Sequence, residues 1–249
     1  MNNSKHDVKN CLIINLDNRE DLWNSLEKFR RKWNIYGKIC DKIPGVNFKT
    51  QTHVVNDFLK SNRLNLNGAG FRHTKEALLG ELGCYMGHFN SWKYVVDNKL
   101  DCCLILEDGV NFLRSDFENL LIDKNLDLLF INREMTMDYN KNFTGYGLQG
   151  YVITQKGAQN LMEKCFVLSL PIDLQIRSLC NSKEIQGDTI NTPFVKRNNN
   201  RVSSIDGIQL GNNSNINNIN LNDKQNQNSI LQRLFYNLLE KNVNLDDYI

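Results

Sequence analysis

The sequence predicts an α/β domain built on a mostly parallel sheet, and three observations lead there. Short apolar runs at 11–16, 102–106 and 150–154 read as strands covered on both faces. Longer segments between them repeat apolar residues at helical spacing. Strands and helices alternate along the chain, the pattern of a sheet with helices packed on both faces. At 249 residues the chain suits one sizeable domain with a tail better than two domains and a linker.

Taken in order, the run Cys11-Leu12-Ile13-Ile14-Asn15-Leu16 ends on polar residues, and a helix follows it. Asn18 is placed to cap that helix, Glu20 and Asp21 suit its positive end, and Leu22, Trp23, Leu26, Phe29 and Trp33 mark its buried side. Residues 39–43 form the next strand, closed by Pro44-Gly45, and 51–59 reads as helical. Residues 61–74 read as an irregular loop. The stretch 80–98 carries Leu82, Tyr85, Met86, Phe89, Trp92 and Val96 on one helical stripe, and 99–101 turns the chain into strand 102–106. Strands at 126–132 and 150–154 come next, the second leading into a helix with Ala158, Leu161, Met162 and Cys165 on one side. This first unit is expected to span 1–205. Residues 206–228 are rich in Asn, Gln and Ser and read as a flexible tether, because they hold too little apolar surface to offset ordering. Residues 229–249 present Ile230, Leu231, Leu234, Phe235, Leu238 and Leu239 on one face of a short helix. A helix this short is marginal alone, so docking on the core or on a second copy of the chain is expected.

A net charge of +2 with interspersed signs offers no basic stripe for phosphates, which argues against nucleic acid as a partner. No run approaches the ~20 apolar residues of a membrane span, and residues 1–10 are polar rather than a signal segment. Seven cysteines, odd in number and without a CxxC pair, read as reduced thiols, and the expectation is the cytoplasm or another reducing compartment.

Ligands of open α/β sheets bind beyond the carboxyl ends of the strands, so the residues just after each apolar run are the informative ones. These are Asn15-Leu16-Asp17-Asn18-Arg19 and Glu107-Asp108-Gly109. Two acids ending a buried strand are costly unless they meet a cleft, a cation or hydrogen-bond donors; the plainer alternative is that they open a loop. No P-loop, G-x-S-x-G, H-E-x-x-H or complete G-x-G-x-x-G is present, and Gly68-Ala69-Gly70 lacks the third glycine. His88, on the apolar stripe, reads by itself as a satisfied core histidine in preference to the alternative, a ligand.

The order of segments resembles glycosyltransferase family 25. Ile13-Ile14-Asn15-Leu16-Asp17 with Arg19 is similar to that family's V-I-N-L-D-x-R, and Gly80-Glu81-Leu82-Gly83-Cys84 with His88 and Trp92 to its G-E-I-G-C-x-x-S-H-x-x-x-W. Leu104-Ile105-Leu106-Glu107-Asp108 is similar to L-V-L-E-D-D-V. Gly150-Tyr151-Val152-Ile153 with Lys156-Gly157-Ala158 resembles G-Y-V-I-S-x-x-G-A, and Pro171-Ile172-Asp173 resembles the P-V-D that follows. The likeness covers about 11–205.

The resemblance implies a GT-A, Rossmann-like nucleotide-sugar-binding domain that transfers a hexose from a UDP-sugar to a hydroxyl of a glycan or protein. It implies Asn15, Leu16, Asp17, Arg19, Glu81, His88, Glu107, Asp108 and Gly150 as nucleotide-sugar-binding residues, Glu107 and Asp108 as ligands of Mn²⁺ or Mg²⁺, and Asp173 as the general base. The plainer role of Asp173 is to cap a helix. Three positions depart from the pattern: Gly109 replaces the second Asp of E-D-D, Gly87 the Ser before His88, and Leu79 the Arg or Thr before Gly80-Glu81. The alternative is therefore a GT-A module that binds a nucleotide sugar, a glycan or a partner without turnover.

Overall fold

The computed structural model describes residues 4–16, 18–45, 65–66, 75–165, 167–168 and 170–198. The expected helix at 51–59, the tether 206–228 and the helix 229–249 lie outside the described residues, as does Asp17.

A six-stranded sheet forms the centre, in the order Gly187–Thr189, Leu128–Phe130, Gly150–Thr154, Cys102–Glu107, Asn10–Leu16, Ile39–Gly45. Alternation along its strands divides the core in two. Leu12, Cys103, Ile105, Leu128, Phe130, Tyr151 and Ile153 face one side, against the helices Lys75–Asp97, Gln155–Lys164 and Ile172–Asn181. Cys11, Ile13, Cys102, Leu104, Leu106, Leu129 and Val152 face the other, against Leu26, Phe29 and Trp33 at the helix Glu27–Ile35 and the aromatics Phe117 and Phe194. Leu104, Ile105 and Leu106 are fully buried, so truncating any of them to Ala would cost about 2–5 kcal/mol. The long helix comes close to the sheet because Gly87 has no side chain: a Cβ there would lie 2.6 Å from Ile14 Cγ2.

Three strand pairs are parallel, but Gly150–Thr154 runs antiparallel to both neighbours. The reason is local. After Leu128–Phe130 the chain makes a small hairpin of Met135–Met137 and Phe143–Gly145 instead of a crossover helix, so the next strand returns the way it came.

Four other expectations are corrected. The first helix, Glu20–Ser25, is capped at Arg19 without a side-chain hydrogen bond, not by Asn18, because the Arg19 N–H turns back to the Leu16 carbonyl at 2.9 Å. Pro44 and Gly45 belong to the strand Ile39–Gly45, where an edge position tolerates the missing N–H of proline. Within 61–74, Asn65–Leu66 pairs in parallel with Val167–Leu168, a tertiary contact with no local sequence pattern. The helix expected from residue 80 begins at Lys75. Among the described residues no helix is long and apolar enough to cross a membrane. All seven cysteines are unpaired thiols.

Candidate functional site

The carboxyl edge of the sheet gathers the polar residues. Asn10–Leu16 and Cys102–Glu107 are adjacent and parallel, so Asn15 and Asp108 emerge side by side. Asn15 Nδ2 donates to Asp108 Oδ2 at 2.8 Å and to the Arg19 carbonyl at 3.1 Å, while the Asp108 N–H donates to the Ile14 carbonyl. One buried amide thus joins the loops after both strands. The Arg19 guanidinium turns to Asp21, whose hydrogen bond raises its pKa, with the charge of Asp108 adding at longer range.

Glu107 is held from below. Trp92 Nε1 lies 2.9 Å from the Tyr151 hydroxyl, Tyr151 lies 2.9 Å from His88 Nδ1, and His88 Nε2 lies 3.3 Å from Glu107 Oε1. Indole can only donate, so Tyr151 accepts from Trp92 and has one hydrogen left, which goes to His88 Nδ1. His88 then carries its proton on Nε2 and donates to Glu107. Every hydrogen in this chain has an acceptor, and His88 is fully buried. Burial pushes the Tyr151 hydroxyl well above its usual pKa, so it remains a donor. Glu107 keeps 29% of its side chain exposed.

Cys84, one helical turn before His88, lies 4.0 Å from Glu107 Oε1. Desolvation first, then the charges of Glu107, Asp173 and Glu81, push its thiol up, with Arg197 acting the other way. The Glu107 N–H donates to the Gln149 carbonyl and Asp173 accepts the Gly147 N–H, so both carboxylates flank the segment 147–149. Asp173 stands at the second position of the helix Ile172–Asn181, after Pro171 at the N-cap. Its Oδ1 accepts the Leu174 N–H at 2.9 Å and its Oδ2 the Gly147 N–H at 2.8 Å. Gly145 and Gly147 both adopt positive φ, 81° and 94°. A Cβ on Gly145 would fall 1.9 Å from the Glu134 carbonyl oxygen, so only glycine fits this loop.

Several participants were missed by the sequence reading. Asn132 Nδ2 donates to the Gly147 carbonyl at 3.2 Å and to Gln149 Oε1 at 3.1 Å. Glu134 Oε1 accepts the Arg197 N–H at 2.9 Å, and the strand Val195–Arg197 pairs with Val110–Phe112 beside the Glu107-Asp108 turn. Asn132 and Glu134 follow an apolar run, as Asn15 and Glu107 do, so the same rule selects them once the strand is known to end at Phe130. Arg197 had no comparable signal.

Buried acceptors without donors mark this edge. Among the described residues the buried side-chain polar atoms with no partner are Asn15 Oδ1, Asn132 Oδ1, Glu134 Oε2 and Arg30 Nε. The three acceptors all lie at the carboxyl edge. Such atoms cost roughly 1–3 kcal/mol each unless a ligand, ion or water supplies what they lack.

Of the sequence-predicted site residues, Asn15, Arg19, Glu81, His88, Glu107, Asp108 and Asp173 come together here. Leu16 closes its strand beside them. Gly150 is fixed by packing, since a Cβ there would meet Val195, Leu106 and Ile131 at 2.6–3.3 Å.

Cys84, His88 and Glu107 bring a sulfur, a nitrogen and an oxygen within 4.8 Å of one another and could hold a metal. Ligation at His88 Nε2 would move the ring proton to Nδ1 and strand the Tyr151 hydrogen, so the complete hydrogen-bond chain favours the metal-free arrangement of that trio. Mg²⁺ and Mn²⁺ take oxygen ligands. The Glu107 and Asp108 carboxylates, with the unpartnered Asn15 carbonyl beside Asp108, fit that preference.

Residues 8–145 match the family described as "Glycosyltransferase family 25 (LPS biosynthesis protein)". The chain is 27% identical over 192 residues to procollagen galactosyltransferase 2 of Mus musculus, covering 65% of this chain and 28% of that relative. It is 26% identical over 190 residues to procollagen galactosyltransferase 2 of Homo sapiens, with the same coverage. It is 28% identical over 120 residues to a "Glycosyltransferase 25 family member" of Anopheles gambiae, covering 41% of this chain and 20% of the relative. The matched part thus spans between a fifth and little more than a quarter of the length of these curated relatives.

Proposed function

Because this chain belongs to glycosyltransferase family 25, we propose that it transfers a hexose from a UDP-sugar to a hydroxyl of a glycan or protein acceptor. The observation that carries this reading is the convergence of Asn15, Glu107 and Asp108, all within the matched residues 8–145, at one sheet edge, with Asp173 joined to it through the segment 147–149. The relatives' name, procollagen galactosyltransferase, makes galactose the first sugar to test and a procollagen-derived peptide the first acceptor.

In this reading Asn15 and Arg19 frame the nucleotide, and Glu107, oriented by His88, faces the diphosphate. The bond between the anomeric carbon and the diphosphate oxygen breaks, its electron pair leaving with UDP. The acceptor oxygen forms the new bond and gives its proton to Asp173, which two backbone N–H groups aim. Glu107 and Asp108 would hold a Mn²⁺ or Mg²⁺ ion, which when bound offsets the charge on the leaving diphosphate.

One observation favours a second reading, a module that holds the nucleotide sugar without turnover: Gly109 stands where the family resemblance expects a carboxylate. Incubation with UDP-galactose, Mn²⁺ and a procollagen-derived peptide separates the two. Acceptor-dependent UDP release is the result expected of the enzyme; UDP binding by calorimetry without release supports the module. Absence of UDP binding, with Mn²⁺ and with chelator, would sink both.

A further inference from the structure

We propose that Asn132, with Glu134 two residues on, forms a subsite that accepts hydroxyl hydrogens of a bound sugar; the proposal rests on the glycosyltransferase reading above.

The orientation of the Asn132 amide is forced. One partner of its nitrogen, the Gly147 backbone carbonyl, can only accept, so exchanging nitrogen and oxygen would set oxygen against oxygen there, and Gln149 presents Oε1 to the same nitrogen. Its Oδ1 therefore remains an acceptor, and it finds no donor although Asn132 is 3% exposed. Glu134 repeats the pattern: Oε1 is bound by the Arg197 N–H, and Oε2 is buried with no donor. A protein rarely buries two such acceptors in one short segment unless something outside the chain supplies hydrogens.

The supplier is best met by a polyol. Asn132 and Asp173 grip the same residue, Gly147, one through its carbonyl and the other through its N–H. The unpartnered carbonyl thus lies one residue from the carboxylate proposed to take the acceptor's proton. A single carboxylate beside a neutral amide, with Arg197 in the same neighbourhood, is a poor cage for a divalent cation and a good match for hydroxyl donors. The loop is tied at three points: Asn132 donates to the Gly147 carbonyl, Asp173 accepts the Gly147 N–H, and Arg177 donates to the Gly145 carbonyl at 2.6 Å.

The hydroxyl could belong to the sugar transferred or to the acceptor, and two titrations of Asn132→Ala distinguish these. The donor arm compares UDP-galactose with UDP; the acceptor arm adds methyl β-galactoside to the UDP-bound protein. The result expected is a roughly tenfold weakening in one arm with UDP affinity unchanged. Equal weakening of UDP and UDP-galactose would mean a displaced loop and overturn the proposal. So would affinities unchanged in both arms, which would leave only water on these oxygens. If the unmodified protein bound no UDP, the transferase reading would fail, and the side-chain amide resonance of Asn132 would decide this proposal by itself. A shift on adding methyl β-galactoside would keep the hydroxyl site, and no shift would overturn it.

Discussion

The two ends of one short strand, Leu128–Phe130, treat buried polar groups in opposite ways. At its amino end Asp127, 1% exposed, is surrounded by donors. Oδ1 accepts from Asn160 Nδ2 at 3.0 Å and lies 3.5 Å from Lys156 Nζ, and Oδ2 accepts the Gln186 N–H at 2.8 Å. At its carboxyl end Asn132 and Glu134 each keep a buried acceptor with no donor. The same pressure to satisfy polar groups acts at both ends of the strand, and only the carboxyl end leaves acceptors unmet. A fully partnered carboxylate holds the fold, and an unpartnered acceptor waits for a ligand. Lys38, also near the amino edge, agrees: it is buried, but its ammonium reaches the Val8 carbonyl and Asp7 and lies over the Trp33 ring.

The largest effect that could break this comparison is on stability. Asp127→Ala leaves the Gln186 N–H and the Asn160 amide without their acceptor and should cost about 3–5 kcal/mol in denaturant unfolding. UDP affinity of the fraction still folded should not change. A loss below 1 kcal/mol, or a selective loss of UDP binding, would show that the amino end is not purely structural.

A middle-sized effect belongs to Tyr151, a satisfied network inside the site. Tyr151→Phe removes the acceptor of Trp92 Nε1 and the donor to His88 Nδ1 and should destabilise by about 1–3 kcal/mol. It also frees the ring to place its proton on either nitrogen, so Glu107 loses a fixed donor. Nitrogen NMR of His88 should show the Nε2–H tautomer in the unmodified protein and a mixture in the variant, with weaker Mn²⁺-dependent UDP binding. A His88 tautomer indifferent to Tyr151 would remove the positioning role assigned to this chain.

What the sequence made legible follows the same division. The runs 11–16, 102–106 and 150–154 could be read because strands covered on both faces need unbroken apolar residues, and the structure buries each in the two core clusters on either side of the sheet. The direction of Gly150–Thr154 could not be read, since it depends on a hairpin whose strands have three residues each. Asn15, Glu107 and Asp108 were legible as polar residues closing apolar runs. Asn132 was not, because residues 126–132 read as one strand and took it inside the apolar run. Asp173 was expected either to cap a helix or to act on a substrate; it receives the Leu174 N–H and also holds the Gly147 loop. No periodicity encodes an orphaned oxygen, which exists only once the neighbouring donors have been counted.

The smallest expected effect on stability is also the sharpest test of the site's chemistry. Gly109 follows Glu107 and Asp108, and the resemblance to E-D-D places a carboxylate there. A Cβ on Gly109 would meet nothing within 4 Å, and its φ is outside the left-handed region where glycine is favoured. Gly109→Asp should therefore change stability by less than about 0.5 kcal/mol, as surface substitutions usually do. Its effect on the ion should be larger. A divalent cation sharing a diphosphate is normally held by one or two protein carboxylates, and one of the two here, Asp108, already gives an oxygen to Asn15. Calorimetry of UDP with Mn²⁺ and with chelator should show weak enhancement by Mn²⁺ in the unmodified protein and a stronger one in the variant, while affinity in chelator stays the same. Strong Mn²⁺ dependence already present with Gly109 would mean that Glu107, Asp108 and the Asn15 carbonyl suffice to hold the ion. The departure from E-D-D would then carry no weight against turnover, and the non-catalytic reading would lose the one observation that favours it.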